Sequence, residues 1–520
     1  MVSPLSRRQL AKVASSLPLS YGMLAGMNQM GALSVSAQGN ELERIVLGVN
    51  SDPLTLMPND IVDTRTDVFI YHMFDACIIR NKDDQFRYMP WLCELENVDE
   101  LTWTLKLVAE GVTFHSGNPL TINDVKAAFD YGQDPANESH YLERWAPLTS
   151  IEVVDDTTIQ IKTENPFPVI WDRIAEVYPI DSVQIAEIGL EAYKENPSGT
   201  GPYILKDWLR GERLSMTANP DYWAFDIPVK EVEFRTMPEF ATRLTAMLAG
   251  ELGIMKDVPV DSFQDVNDSG IATVKSIPSS RVNFVALVTN REDSVFYDNL
   301  PLRKAINHGV DVQGIIDGIF QGNAVRMAGA LSDLNPERNK AITPYEYNPD
   351  LARELLAEAG YAEGELEITM DAPQGRYPMD VDAAMAIAAS LGDIGITVNV
   401  QYNEWGTYLD KIVNRGTGDM LYHGWGPALD ASFTFTNIFV GDANYSAVGD
   451  PDIEAKIHEA NQTVDPEARQ AIWDEVQQDV YDEALWLFLW QQYDSYGVAN
   501  DIAWEPRADE KLWMAEASGI

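Results

Sequence analysis

Apolar residues recur along this chain with two periods, near two and near 3.6, in segments that alternate. Leu101, Trp103, Leu105 and Leu107 alternate with Thr102, Thr104 and Lys106, the pattern of a half-buried strand. Gly111 turns the chain, and 112–114 reads as the returning strand. Thr121 can cap the helix that follows. Asp124, at its third position, favours the positive end, and Val125, Ala128 and Phe129 share its inner face. Residues 151–162 read as a hairpin with Asp155-Asp156-Thr157-Thr158 at its tip, and 169–195 as helix-rich. A second hairpin opens after Gly199-Thr200-Gly201-Pro202. Its first strand is 203–208, Arg210-Gly211-Glu212 is its tip, and Leu214, Met216 and Ala218 alternate on the return.

Other elements follow from the same rules. A strand is expected at 41–49, and a helix at 239–249 with Leu244, Met247 and Leu248 inward and Gly250 as its stop. Residues 282–288 form a near-continuous apolar run, a buried strand and a candidate crossing between two lobes. Asn348 caps a helix that has Pro349 at its first position. Strand 366–370, helix 381–391 and a strand carrying Ile396, Val398 and Val400 imply a parallel pair with a right-handed crossover. Helices at 406–414, 451–461 and 466–484 and strands at 419–425, 485–490 and 493–498 complete a mixed α/β chain.

Charge changes this picture more than composition does. The 520 residues carry a net charge of −44. That disfavours nucleic acid and anionic membrane as partners, because both repel an acidic surface. It suits solubility or a saline medium, where salt screens the self-repulsion. Ser6-Arg7-Arg8-Gln9-Leu10-Ala11-Lys12 resembles a twin-arginine export signal, followed by a mildly apolar stretch and small residues for cleavage after Ala37. Export would place the mature chain in the periplasm or on the outer face of the cell envelope. The two cysteines, Cys77 and Cys93, are either buried thiols or a bridge that would add ~3 kcal/mol.

Gly199, Thr200, Gly201, Pro202, Tyr203, Trp208, Gly211, Glu212, Leu214, Asn219, Pro220, Asp221, Tyr222 and Trp223 together resemble a signature of the family 5 extracellular solute-binding proteins. These are the receptors of peptide, nickel and oligosaccharide ABC importers. Residues 101–125, LTWTLKLVAEGVTFHSGNPLTINDV, and 348–361, NPDLARELLAEAGY, are similar to further family segments. The resemblance spans about 44–498. It implies a two-lobed periplasmic-binding-protein fold (type II, cluster C-like) with an extra inserted domain. Domain I is expected at 38–75, 200–285 and 488–520, domain II, the insertion, at 76–199, and domain III at 286–487, after an export signal at 1–37. In the family the 101–125 segment is structural, so His115 is given no chemistry.

Catalytic patterns are missing: there is no GxxxxGK loop, HExxH, CxxC or GxSxG elbow, and the six histidines lack metal-ligand spacing. No enzyme activity, cofactor or metal is expected. The loop Gly424-Trp425-Gly426-Pro427-Ala428-Leu429-Asp430 leaves a buried strand, where ligands of α/β lobes tend to sit. It resembles the family's ligand loop, in which peptide-binding members anchor an ammonium on an aspartate. In this chain the early aspartate position holds Ala428 and Asp430 matches a later one. Asp430 is thus a ligand anchor or a cap of the next turn. Trp425, beside Gly426, stacks on a ligand or packs in the core, and so does Trp405. Asn50, Ser51 and Asp52, after the first strand, face the cleft or form a plain turn. The expectation is a monomeric receptor that closes on a small solute, an oligopeptide first, and delivers it to an ABC permease. The alternatives are an oligosaccharide receptor of the same family and an exported hydrolase.

Overall fold

The structure is a computed structural model that describes residues 40–520 apart from 62–63, 85, 140 and 427–428. The export segment expected at 1–37 and Ala428 lie outside the described residues.

Strand β1 (Ile45–Val49) is the first long element and is buried on both faces. A helix, Thr64–Met73, leads to a hairpin, β2 (Ile78–Asn81) and β3 (Arg87–Pro90). Four antiparallel strands follow: β4 (Cys93–Asp99), β5 (Thr102–Leu107), β6 (Leu148–Asp155) and β7 (Thr158–Thr163), in the order β4-β5-β7-β6. Trp103, Leu105, Ile159 and Ile161 point to one face and pack on Val125, Ala128 and Phe129 of the helix Ile122–Gln133. Each such burial contributes about 1.5–3 kcal/mol. The expected cap is present: the Thr121 backbone N–H and hydroxyl both donate to the Asp124 carboxylate, at 2.9 and 2.7 Å. The expected return strand at 112–114 is not. Both edges of β5 are already taken by β4 and β7, and Thr113 makes only an isolated bridge to Pro119. Cys77 and Cys93 are free and buried.

The second hairpin, β8 (Tyr203–Leu209) and β9 (Arg213–Ala218), turns at Gly211, whose φ of +73° favours glycine. It continues into β10 (Glu231–Thr236) and β11 (Ile254–Lys256), between which β1 inserts in parallel. Strand β12 (Ala272–Leu287) is twice as long as the apolar run predicts. After β13 (Ala324–Arg326), the parallel pair β14 (Glu367–Pro373) and β15 (Thr397–Asn403) forms as expected across the helix Asp380–Asp393. Next comes β16 (Met420–Trp425). The strands expected at 485–490 and 493–498 are one strand, β17 (Trp486–Ala499), because Gln491 and Gln492 continue the ladder on β13.

These strands form one eleven-stranded sheet, β15-β14-β16-β12-β17-β11-β1-β10-β9-β8, with β13 also on β17. Strands β12 and β17 pair from Ala272–Ala499 to Ala286–Trp486, so both run through its two halves. Their register breaks between Pro278 and Val282, where proline has no N–H to donate. Separate cores lie on either side of that break. One gathers Leu47, Phe69, Phe234, Tyr496 and Leu512, another Ile306, Met370, Ile387 and Tyr422.

Candidate functional site

The glycine-rich turn at 199–202 is built for close approach. A Cβ on Gly201 would sit 2.5 Å from the Met73 carbonyl carbon, and the Gly201 N–H donates to the Met73 carbonyl at 2.9 Å. Asp75, just beyond, is buried and collects four donors: Trp91 Nε1, Tyr222 Oη, Trp223 Nε1 and Thr200 Oγ1. His115 donates from Nε2 to the Gly201 carbonyl at 3.0 Å, and burial lowers its pKa to about 4. These residues hold the four-stranded unit to the large sheet.

The two ends of that frame meet across the β12–β17 crossing. Phe86, on the β2–β3 hairpin, packs with Leu429 from the loop after β16, with Ala508, and with Ile277 of β12. Arg80 of β2 donates to the carbonyls of Phe86 (3.3 Å) and Leu429 (3.4 Å) and to Asp172 (2.9 Å), and also meets the Tyr88 hydroxyl.

Polar groups from both halves of the sheet lie along β12 and β17. Asn50 Nδ2 donates to Asp257 Oδ2 at 3.3 Å. Asp494 lies in the fields of Glu510, Lys256 and Asp257, and Glu510 in that of Lys256. Arg281 Nη2 bonds Glu510 Oε2 at 3.1 Å, and its Nη1 reaches the Gly424 carbonyl at 3.4 Å, which Tyr377 Oη also meets at 3.0 Å. The Arg376 guanidinium lies 4.8 Å over the Trp405 ring, and Trp405 stacks on His423 at 5.9 Å and 17°. Burial, and then the charges of Arg376 and Arg281, hold His423 neutral with a pKa of about 3. Burial raises the Glu510 carboxyl, but Arg281 and Lys256 outweigh it and leave the group below its usual range.

The residues singled out from sequence divide accordingly. Asn50 and half-buried Ser51 stand at one end of these groups. Trp405 and Trp425 stand at the other, Trp425 stacked on Phe433 at 5.0 Å with its indole N–H buried and unpartnered among the described residues. A Cβ on Gly426 would lie 2.8 Å from the Arg281 Cα, so that glycine lets the loop press on β12. Asp52 is engaged elsewhere: its carboxylate accepts from Trp208 Nε1 at 3.1 Å and from the Gly211 N–H at 3.0 Å. Asp430 takes the capping alternative, accepting from the Ser432 N–H at 2.8 Å, with Arg469 3.6 Å away.

Arg281, Arg376, His423, Asp494 and Glu510 escaped the sequence reading. Arg376 could have been found, since its loop leaves the carboxyl end of β14 as the 424–430 loop leaves β16. No grouping of three or more His, Cys, Asp or Glu side chains among the described residues could hold a metal ion. No helix among them is long and apolar enough to cross a membrane.

One sheet whose halves share β12 and β17, with a separate core on either side of their register break, is the frame of a two-lobed solute receptor. A model of the bacterial extracellular solute-binding proteins, family 5 Middle, matches residues 87–447, and the chain belongs to that family. It is 26% identical over 429 residues to a provisionally named ABC transporter peptide-binding protein of Brucella melitensis, with 78% of this chain and 80% of that one covered. It is 23% identical over 461 residues to the glutathione-binding protein GsiB of Escherichia coli, covering 86% and 88%. Its fold resembles the periplasmic binding protein DppA of Helicobacter pylori, solved with the peptide STSA. The TM-score is 0.79 at 22% identity, covering 94% of this chain and all of that one.

Proposed function

We propose that this chain is an exported, monomeric receptor that takes an oligopeptide into the crevice over the β12–β17 crossing and delivers it to an ABC import permease. Residues 1–37 serve as a twin-arginine export signal and place it in the periplasm or on the outer face of the cell envelope. Domain I comprises 38–75, 200–285 and 488–520, domain II 76–199 and domain III 286–487. The observation that carries the reading is the set of polar contacts between Asn50 and Trp405, which draws on both halves of the sheet. The names of the relatives, peptide- and glutathione-binding, point the same way.

The lobes close by bending at the register break in β12. A solute that touches both walls only when they are shut favours the closed state by that difference in contact. Reversing a 1:99 open bias to 99:1 takes ~5.5 kcal/mol of it. An oligosaccharide is the second reading, favoured by the Trp405, Trp425 and Tyr445 rings around His423, which could stack on sugar faces. Native mass spectrometry of gently purified protein decides between them. Co-purified peptide is the expected result, and a sugar or a metal chelate with no peptide overturns the ligand class.

A further inference from the structure

Two arginines converge at the end of the β12–β16 pair where Leu287 faces Met420, away from the crossing and from Trp425, which pairs with Val282 at the other end. Arg291 Nη1 donates to the Arg415 carbonyl at 3.3 Å and Nη2 to the Gly418 carbonyl at 3.1 Å. Arg415 Nη1 donates to the Ser446 carbonyl at 3.1 Å and Nη2 to the Gly441 carbonyl at 2.7 Å. Asn290 Nδ2 shares the Ser446 carbonyl, at 3.1 Å. Backbone oxygens thus fix both guanidiniums, and neither is hydrogen-bonded to a carboxylate among the described residues. Asp293, 84% exposed, stands 3.8 Å from Arg291 Nε, and that buried Nε has no hydrogen-bond partner among the described residues. Asn290, Arg291, Arg415, Thr417, Ser446 and the apolar Leu421 line one recess of about 230 Å³, with room inside for about one water-sized body. Thr417 is 8% exposed, and neither its hydroxyl nor its N–H has a partner among the described residues. Buried polar atoms are rarely left open in a folded protein unless something else meets them.

We propose that this recess binds a single small inorganic anion, chloride, between Arg291 and Arg415. A guanidinium carries five N–H donors, and each of these two spends only two of its nitrogens on backbone carbonyls. Charges drawn out of water are normally paired, and two of the same sign brought together repel. A water molecule would meet the open donors and leave the repulsion in place, whereas an anion answers both. Size then selects among anions: a recess with room for one water-sized body takes a monatomic ion and excludes a nucleotide or a sugar phosphate. The ion would join three segments that are distant in sequence, 288–291, 412–418 and 441–447, and so stabilise this lobe. The site lies at the far end of β16 from the 424–430 loop, and the inference does not depend on which solute the receptor takes.

The test uses the whole mature chain. Thermal melts in sodium chloride and in sodium gluconate at one ionic strength hold screening constant, and gluconate is too large for the recess. Chloride is expected to raise Tm above its value in gluconate by about 3 °C or more, and Arg291→Gln and Arg415→Gln each to lose most of that difference. Wild-type crystals soaked in sodium bromide, whose anion replaces chloride and scatters anomalously, are expected to show a peak between the two guanidiniums. Should a variant fail to fold, that peak decides. Its absence overturns the site whatever the melts show, and so does a chloride effect that both variants keep. A Tm raised as far by sodium sulfate as by chloride, and by neither salt in the variants, overturns chloride in favour of an oxyanion.

Discussion

Replacing Asp75 by alanine would remove one acceptor group from four donors at once. The carboxylate is 5% exposed. Its Oδ1 accepts from Trp91 Nε1 at 2.9 Å and Tyr222 Oη at 2.8 Å, and its Oδ2 from Trp223 Nε1 and Thr200 Oγ1, both at 3.0 Å. A bond to a charged group contributes about 1.5–3 kcal/mol, and a buried donor left open costs about 1–3. The four are not additive, because burial opposes them: it raises the Asp75 carboxyl above its usual range despite all four bonds. The net loss for Asp75→Ala is then about 3–5 kcal/mol, the range for breaking a buried charged contact. At 2–4 °C per kcal/mol for a cooperative unit of 150–250 residues, Tm falls by roughly 6–20 °C. Asp75→Asn keeps the volume and one acceptor oxygen while shedding the buried charge, so it should lose roughly half as much. Thermal melts followed by the fluorescence of the thirteen tryptophans, Trp91 and Trp223 among them, measure the loss. An alanine variant melting within ~2 °C of wild type would refute the view that this carboxylate ties the 198–223 stretch to the four-stranded unit.

Three further outcomes follow from the fold and its charge. Because the folded-state carboxyl of Asp494 is raised to about 7 from 3.8, the native state binds the extra proton. Its contribution to stability is complete below pH 4 and is lost as pH rises to 7. Wild type should therefore lose up to about 1.4 kcal/mol per pH unit over that window relative to Asp494→Asn, and parallel stability curves for the two proteins would refute it. Cys77 and Cys93 are free and buried, and burial pushes the Cys77 thiol up. A thiol reagent should label none in the native protein and two in denaturant, whereas none in denaturant would reveal a bridge. With a net charge of −44, Tm should climb by several degrees as sodium chloride rises from 0.1 to 1 M and the screening length shortens from about 10 to 3 Å. An unchanged Tm would mean that the acidic surface carries little repulsion.

Local devices were readable in the chain, and distant partnerships were not. Gly211 marks its hairpin, Thr121 and Asp124 their cap, and Asn348 accepts from the Leu351 N–H as its position before Pro349 implies. Each depends on neighbours within a few residues. Asp52 is decided by Trp208, 156 positions away, so no local rule could tell cleft from hairpin brace. Asp430 carried both meanings in sequence; the local one is visible in its bond from the Ser432 N–H, while its neighbour Arg469 comes from a distant helix. Trp405 was legible as a candidate since its loop follows a strand, but its setting on His423 under Arg376 arises from three separate segments. Arg281 meets Glu510 across 229 residues. The 282–288 run revealed only half of β12, because Thr273, Lys275, Ser276, Ser279, Ser280 and Arg281 interrupt the apolar positions of its first ten residues.

The pairing of β11 with β17 has a consequence for the order in which this protein can take shape. Ile254 hydrogen-bonds into the ladder opposite Val498, near the very end of the chain. At ~5–20 residues per second, a ribosome needs roughly 10–50 s to supply that partner after Ile254 has emerged. Throughout that interval the amino-terminal strands present an open, sticky margin. A nascent polypeptide arrested before residue 486 should be cut readily by protease in this region, whereas a released full-length chain should resist.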